Sequence, residues 1–197
     1  MSNFEAARLQ AALHGDPDAF TELVEAYQTP VFNLCYRMLG DSQEAEDAAQ
    51  ETFWRAYQAL DRYDRDRSFT TWLLSIAAHY CIDQHRRRKM PTFSIDDAFE
   101  EMIADHAPDP ESSASRSEED NRLRTLLKSL TPQDRSAVAL KYWYDFSDQE
   151  IADALHLTVS AVKSRLFRAR QTLARSWQDS QPETACAERS CHESPAF

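Results

Sequence analysis

The sequence predicts an all-α protein of two helical domains joined by an acidic flexible linker, the second domain a helix-turn-helix. Three observations carry that expectation. Only two glycines, Gly15 and Gly40, occur in 197 residues, too few for the turns of a sheet-rich fold or for a glycine-rich phosphate cradle. Helix-start signals recur ahead of apolar runs of helical period: Ser, Thr or Asp followed by proline, or by glutamate three residues on. Charge also divides the chain. The net charge of −11 hides −9 over residues 93–120 and +5 over residues 121–178, so overall acidity does not exclude a basic nucleic-acid module.

The first domain is expected over residues 1–92. Ser2 and Glu5 have the spacing of a capping box. Asp16-Pro17 opens a helix with Phe20, Leu23, Val24, Tyr27, Val31, Leu34 and Met38 on its apolar face, which Pro30 should bend or break. Gly40 suits a left-handed stop, and Asp41 with Glu44 suits the next cap. The helix that follows would bury Ala45, Ala48, Ala49, Phe53, Ala56 and Leu60. A third, from near Ser68, turns Trp72, Leu73, Ile76, Ala77 and Tyr80 inward and ends in the basic run His85–Lys89. Cys35 and Cys81 fall on apolar faces and read as inert buried thiols.

Residues 93–120 are rich in Asp, Glu, Ser and Pro, as expected of an extended linker, although Phe93, Ile95, Phe99, Met102 and Ile103 interrupt the polarity. The second domain, residues 121–178, opens a helix at Thr131-Pro132 and another at Ser147, where Ser147 and Glu150 form a capping box. His156 occupies the turn and tolerates positive φ better than most residues. Thr158 caps the last helix, with Val162, Leu166, Ala169 and Leu173 inward. That helix carries Lys163, Arg165, Arg168, Arg170 and Arg175, with no acid between Thr158 and Ser176. A short helix, a tight turn and a longer basic helix form a unit that can enter a DNA major groove.

Other classes are disfavoured. No nucleophile stands with a base, no carboxylates pair in an apolar surround, and the six histidines are scattered, so catalysis is not expected. No run approaches the ~18 apolar residues of a membrane span, and no signal region precedes the first helix, so a soluble cytoplasmic protein is expected. In the tail, residues 179–197, Cys186, Cys191 and His192 form a C-x4-C-H arrangement of ligands suited to zinc or copper(I). A fourth ligand would come from Glu183, Glu188, another domain or a second chain. A disordered tail and a redox-active thiol pair stand beside that reading, and no cofactor is required.

Ala45-Glu46-Asp47-Ala48-Ala49-Gln50-Glu51-Thr52-Phe53-Trp54-Arg55-Ala56-Tyr57 resembles the polymerase-binding helix of bacterial extracytoplasmic-function sigma factors. Phe69-Thr70-Thr71-Trp72-Leu73-Leu74-Ser75-Ile76-Ala77, running on to Arg86-Arg87, resembles their downstream promoter-reading helix. Leu130–Arg135, Gln149–Ala152 and Val162–Arg170 resemble their second DNA-binding domain. The likeness spans residues 5–177 in order, and the short cysteine tail faintly resembles metal-sensing members.

The resemblance implies a sigma factor that directs core RNA polymerase to promoter DNA and assists opening. It implies core-polymerase contacts at Glu46, Asp47, Gln50, Glu51, Phe53 and Trp54, and minus-ten contacts at Arg67, Trp72, His79, Asp83, Arg86 and Arg87. Minus-thirty-five contacts fall at Thr158, Ser160, Lys163, Ser164, Arg165, Arg168 and Arg170. His79 stands where many members have asparagine, which bears on downstream base preference. An anti-sigma partner or an appended segment would supply control, and the acidic linker could mimic nucleic acid in a polymerase channel. The rival reading is a stand-alone helix-turn-helix regulator, which would have no use for the acidic and aromatic positions of 45–57.

Overall fold

The computed structural model describes residues 3–89 and 114–179. The Ser2 side of the first cap, the apolar positions of the linker and the Cys186, Cys191 and His192 cluster lie outside the described residues. Among those described there are eight α-helices and no strand: α1 (Asn3–Leu13), α2 (Pro17–Leu39), α3 (Ser42–Gln58), α4 (Phe69–Lys89), α5 (Ala114–Lys128), α6 (Pro132–Trp143), α7 (Asp148–Leu155) and α8 (Val159–Asp179).

The caps follow the sequence closely. The Asp16 carboxylate accepts from the Asp18 and Ala19 amides at 3.0 and 3.3 Å, and Pro17 takes the first helical turn. Gly40 stops α2 at φ 83°, its N–H donating to the Tyr36 carbonyl at 2.8 Å. Asp41 caps α3 through the Glu44 amide at 2.9 Å, but Glu44 reaches Arg88 instead of closing the box. Of the two effects expected of Pro30, a bend or a break, the break does not occur: α2 runs through it from Pro17 to Leu39. The lost hydrogen bond falls on the carbonyl of Ala26, an exposed residue whose backbone water can serve.

In the first domain α2 packs on α1, α3 and α4 around Leu23, Val31, Leu34, Met38, Ala48, Ala56, Leu73 and Ala77. Small alanines on α3 let that helix approach closely. Cys35 and Cys81 are fully buried against each other; their hydrogen bond, then burial, push the Cys81 thiol up, so Cys81 is no ready nucleophile.

In the second domain α8 packs across α6 and α7. Ser147 and Glu150 form the full capping box, and His156 takes the left-handed turn at φ 53°. Helix α5 starts at Ala114, inside the stretch read as linker. Its Ser and acidic residues suit a linker locally, but they lead into buried Leu127, and α5 packs on α8. The two domains touch: α2 meets α5 and α6, and α4 meets α6 and α7.

Candidate nucleic-acid interface

Three surfaces gather the residues singled out by the sequence. The first is a groove of about 360 Å³ between α2 and α3, with Val24, Phe32, Ala49 and Phe53 as its apolar lining and Glu46 and Gln50 at its edge. Asp47 and Trp54 are exposed close by on α3, Trp54 stacked on Tyr57 at 6.5 Å. Glu51 differs from its neighbours: it is half-buried and accepts from Arg55 at 2.7 Å, so it braces α3. An apolar trough edged by acidic and amide groups suits a basic helical partner.

The second surface is a cavity of about 500 Å³ at the start of α4, under the 3-10 turn Leu60–Arg62. Trp72 is its aromatic wall, held from behind by buried Tyr63 and Phe69, with Tyr63 and Trp72 ring centroids 5.1 Å apart. Arg55, Arg62, Arg67 and His79 also line it. Thr71 also lines it, its hydroxyl buried without a hydrogen-bond partner. Trp72, His79 and three guanidiniums, with Asp64 and Asp153 among them, form a receptacle suited to an unstacked base with its phosphate. Of the expected set, Arg67, Trp72 and His79 meet here. Asp83 and Arg86, paired at 3.1 Å, continue the His79 face of α4 at helical spacing, and exposed Arg87 lies beside them.

The third surface is the outer face of α8. Val162, Leu166 and Ala169 are buried, which turns Ser160, Ser164 and Arg168 to solvent. Thr158 is the N-cap, accepting from the Ala161 amide at 3.2 Å. Lys163 is exposed, while Arg170 borders an apolar groove with Leu173 and Trp177. Arg165 turns inward, donating to Asp134 at 2.9 Å and Gln133 at 2.6 Å, and so ties α8 to the start of α6. Phe167, 55% exposed, was missed by the sequence reading. Its signal was legible: it falls off the inward stripe and sits between Ser164 and Arg168, where an apolar edge can meet a thymine methyl.

Sigma-70 region 2 matches residues 23–90 and sigma-70 region 4 matches residues 120–173. The ECF RNA polymerase sigma factor SigW of Bacillus subtilis is 35% identical over 181 residues, covering 87% of this chain and 96% of that protein. The chain belongs to the extracytoplasmic-function sigma factors. The RNA polymerase sigma-H factor of Pseudomonas aeruginosa is 34% identical over 172 residues, covering 83% of this chain and 89% of that one. Among solved structures, CnrH in complex with the cytosolic domain of CnrY superposes with a TM-score of 0.69 at 24% identity, over 91% of this chain and all of that one, a likeness of fold. This sigma factor therefore directs core RNA polymerase to promoters and assists their opening; the stand-alone regulator reading falls. No helix among the described residues is long and apolar enough to cross a membrane.

Proposed function

We propose a division of labour over the three surfaces. The α2–α3 groove docks core polymerase through Glu46, Asp47, Gln50, Phe53 and Trp54. The α4 cavity takes an extruded minus-ten base, with Trp72 and His79 beside it and Arg86 and Arg87 on the following phosphates. The outer face of α8 reads minus-thirty-five duplex through Ser164, Phe167 and Arg168, with Ser160 and Lys163 alongside. The observation that carries this reading is the α4 cavity itself, where Trp72 and His79 stand among Arg55, Arg62 and Arg67. Unpairing a base costs a few kcal/mol, and such a cavity repays it.

Two assignments shift. Arg165 acts in holding α8, and Glu51 in bracing α3, since each is committed to a partner within the chain. Charge at the groove accelerates docking more than it deepens affinity. Changing Glu46 and Asp47 to lysine should weaken core binding about tenfold or more with the circular dichroism spectrum unchanged; unaltered affinity would reject the groove.

A solved structure of like fold is a sigma factor in complex with the anti-sigma factor NepR from Bartonella quintana. That supports an anti-sigma partner here. Cys186, Cys191 and His192 are proposed as soft ligands for zinc or copper(I). Titration of each metal into wild type and a Cys186→Ser/Cys191→Ser variant tests this; equal stoichiometry in both rejects it.

A further inference from the structure

Helix α3 carries more than the groove. Nine residues at ~100° each place Arg55 about half a turn around the helix from Glu46, on the side away from Gln50 and Phe53. That side packs on α4, where the Arg55 guanidinium lies 4.8 Å over the Tyr80 ring. The Arg55 Nε donates to the Glu51 carboxylate at 2.7 Å. Tyr80 is itself fixed, its hydroxyl accepting from the Gln84 amide at 2.5 Å one turn further along α4. Glu51, Arg55, Tyr80 and Gln84 thus form a continuous chain of contacts from one helix to the other.

Arg55 also reaches the α4 cavity, beside Arg62, Arg67, Trp72 and His79. Asp64 and Asp153 share the lining, and the three guanidiniums outnumber them. A guanidinium has five N–H donors in a fixed fork, and Glu51 takes one of them. The two terminal nitrogens of Arg55 have no hydrogen-bond partner among the described residues. The side chain is 42% exposed, too open for burial alone to fix it. A carboxylate on one edge and a ring against one face do so instead. An open i,i+4 pair adds little to stability, whereas orienting a fork of donors beforehand lowers the entropy cost of binding an anion. The planar fork matches two phosphate oxygens at once.

We infer that Arg55, on the side of α3 opposite the groove, is a promoter-contacting residue: its remaining N–H groups take a phosphate of the parted minus-ten strand, and Glu51 and Tyr80 are the positioning residues that aim it. The inference rests on the minus-ten reading of the α4 cavity. Trp72 holds the base and Arg55 the backbone beside it. With the groove docking polymerase, α3 offers one face to protein and the other to nucleic acid, so docking and strand capture share one rigid element.

The test uses holoenzyme assembled from the full chain and core polymerase. The probe is a forked duplex with a single-stranded minus-ten segment, drawn from a promoter that the wild-type holoenzyme selects. Arg55→Ala should weaken fork binding about tenfold, as the loss of hydrogen bonds to a charged group implies. It should lower the salt slope by ~0.7, the value for one single-strand phosphate, and leave affinity for core polymerase unchanged. Arg55→Lys should keep the slope and recover only part of the affinity, since an ammonium lacks the fork. Glu51→Ala should weaken fork binding by less, with the slope kept, because the charge remains and only its aim is lost. Joined to Arg55→Ala it should add nothing further, and fully additive losses would remove Glu51 as the positioning residue. Wild-type fork affinity and slope in Arg55→Ala, with binding weakened in Trp72→Ala, would overturn the inference and leave the cavity reading standing. If neither variant alters fork binding, the minus-ten reading itself falls. Lost core affinity in Arg55→Ala would make it a docking residue, which also overturns the inference.

Discussion

The two helices proposed to read DNA differ in exposure. Helix α8 shows its outer face bare, with Ser164, Phe167 and Arg168 in solvent, whereas the reading face of α4 is roofed by α7 and the His156 turn. On the division of labour proposed above, the bare helix takes duplex, which needs no preparation, and the roofed one takes strands that must first be parted.

Removing the roof is the harshest way to break that contrast. Ile151 is fully buried in α7, so Ile151→Ala should cost about 2–5 kcal/mol, unfold the second domain first in thermal melts and uncover α4 to hydrogen exchange. Equal exchange of α4 in variant and wild type would show that α7 does not shield it.

On the bare helix, Arg168→Ala should weaken minus-thirty-five duplex binding by about 1–3 kcal/mol and alter its salt slope. Arg165→Ala should instead lower the melting temperature, because its loss strands Asp134 in a half-buried site, and should leave the salt slope nearly intact. Interchangeable effects would erase the distinction drawn between the two arginines. At the turn itself, Ser147→Ala removes the capping box and should cost about 1 kcal/mol, read by denaturant unfolding.

The smallest effect is a pH dependence of stability. Burial, then the cationic Arg135 and Arg88, hold His85 below the ordinary imidazole value, against the pull of its hydrogen bond to Met38 and of Glu44. The folded chain therefore favours neutral His85. Its contribution is complete above about pH 6.5 and declines as pH falls below that, where the unfolded chain takes up the proton more readily. Thermal melts from pH 7.5 to 5.5 should show gradual destabilisation, muted in His85→Gln. The same profile in both proteins would remove His85 as its source.

Most helix boundaries were legible because caps are local. Asp16, Gly40, Ser147, His156 and Thr158 act within a few residues of themselves, and each sits where its chemistry demanded. The start of α5 was misjudged because its packing on α8 outweighed local preference. The candidate site divides the same way. Which helix bears which surface could be read from motif and spacing. That Arg165 turns to Asp134 and Gln133 instead of outward depends on residues distant in sequence. The packing of one domain on the other left no periodic signal, since Arg135, Tyr144 and Met38 join as isolated polar contacts.

The central claim, two separate reading surfaces brought to a promoter by polymerase, is tested most directly by transcription from a promoter library with core enzyme and this chain. Wild type should select discrete start sites with two elements about two helical turns apart. Arg168→Ala should relax selection at the upstream element alone, and His79→Ala at the downstream element alone. Start sites lacking either element, or both variants relaxing the same element, would contradict the account.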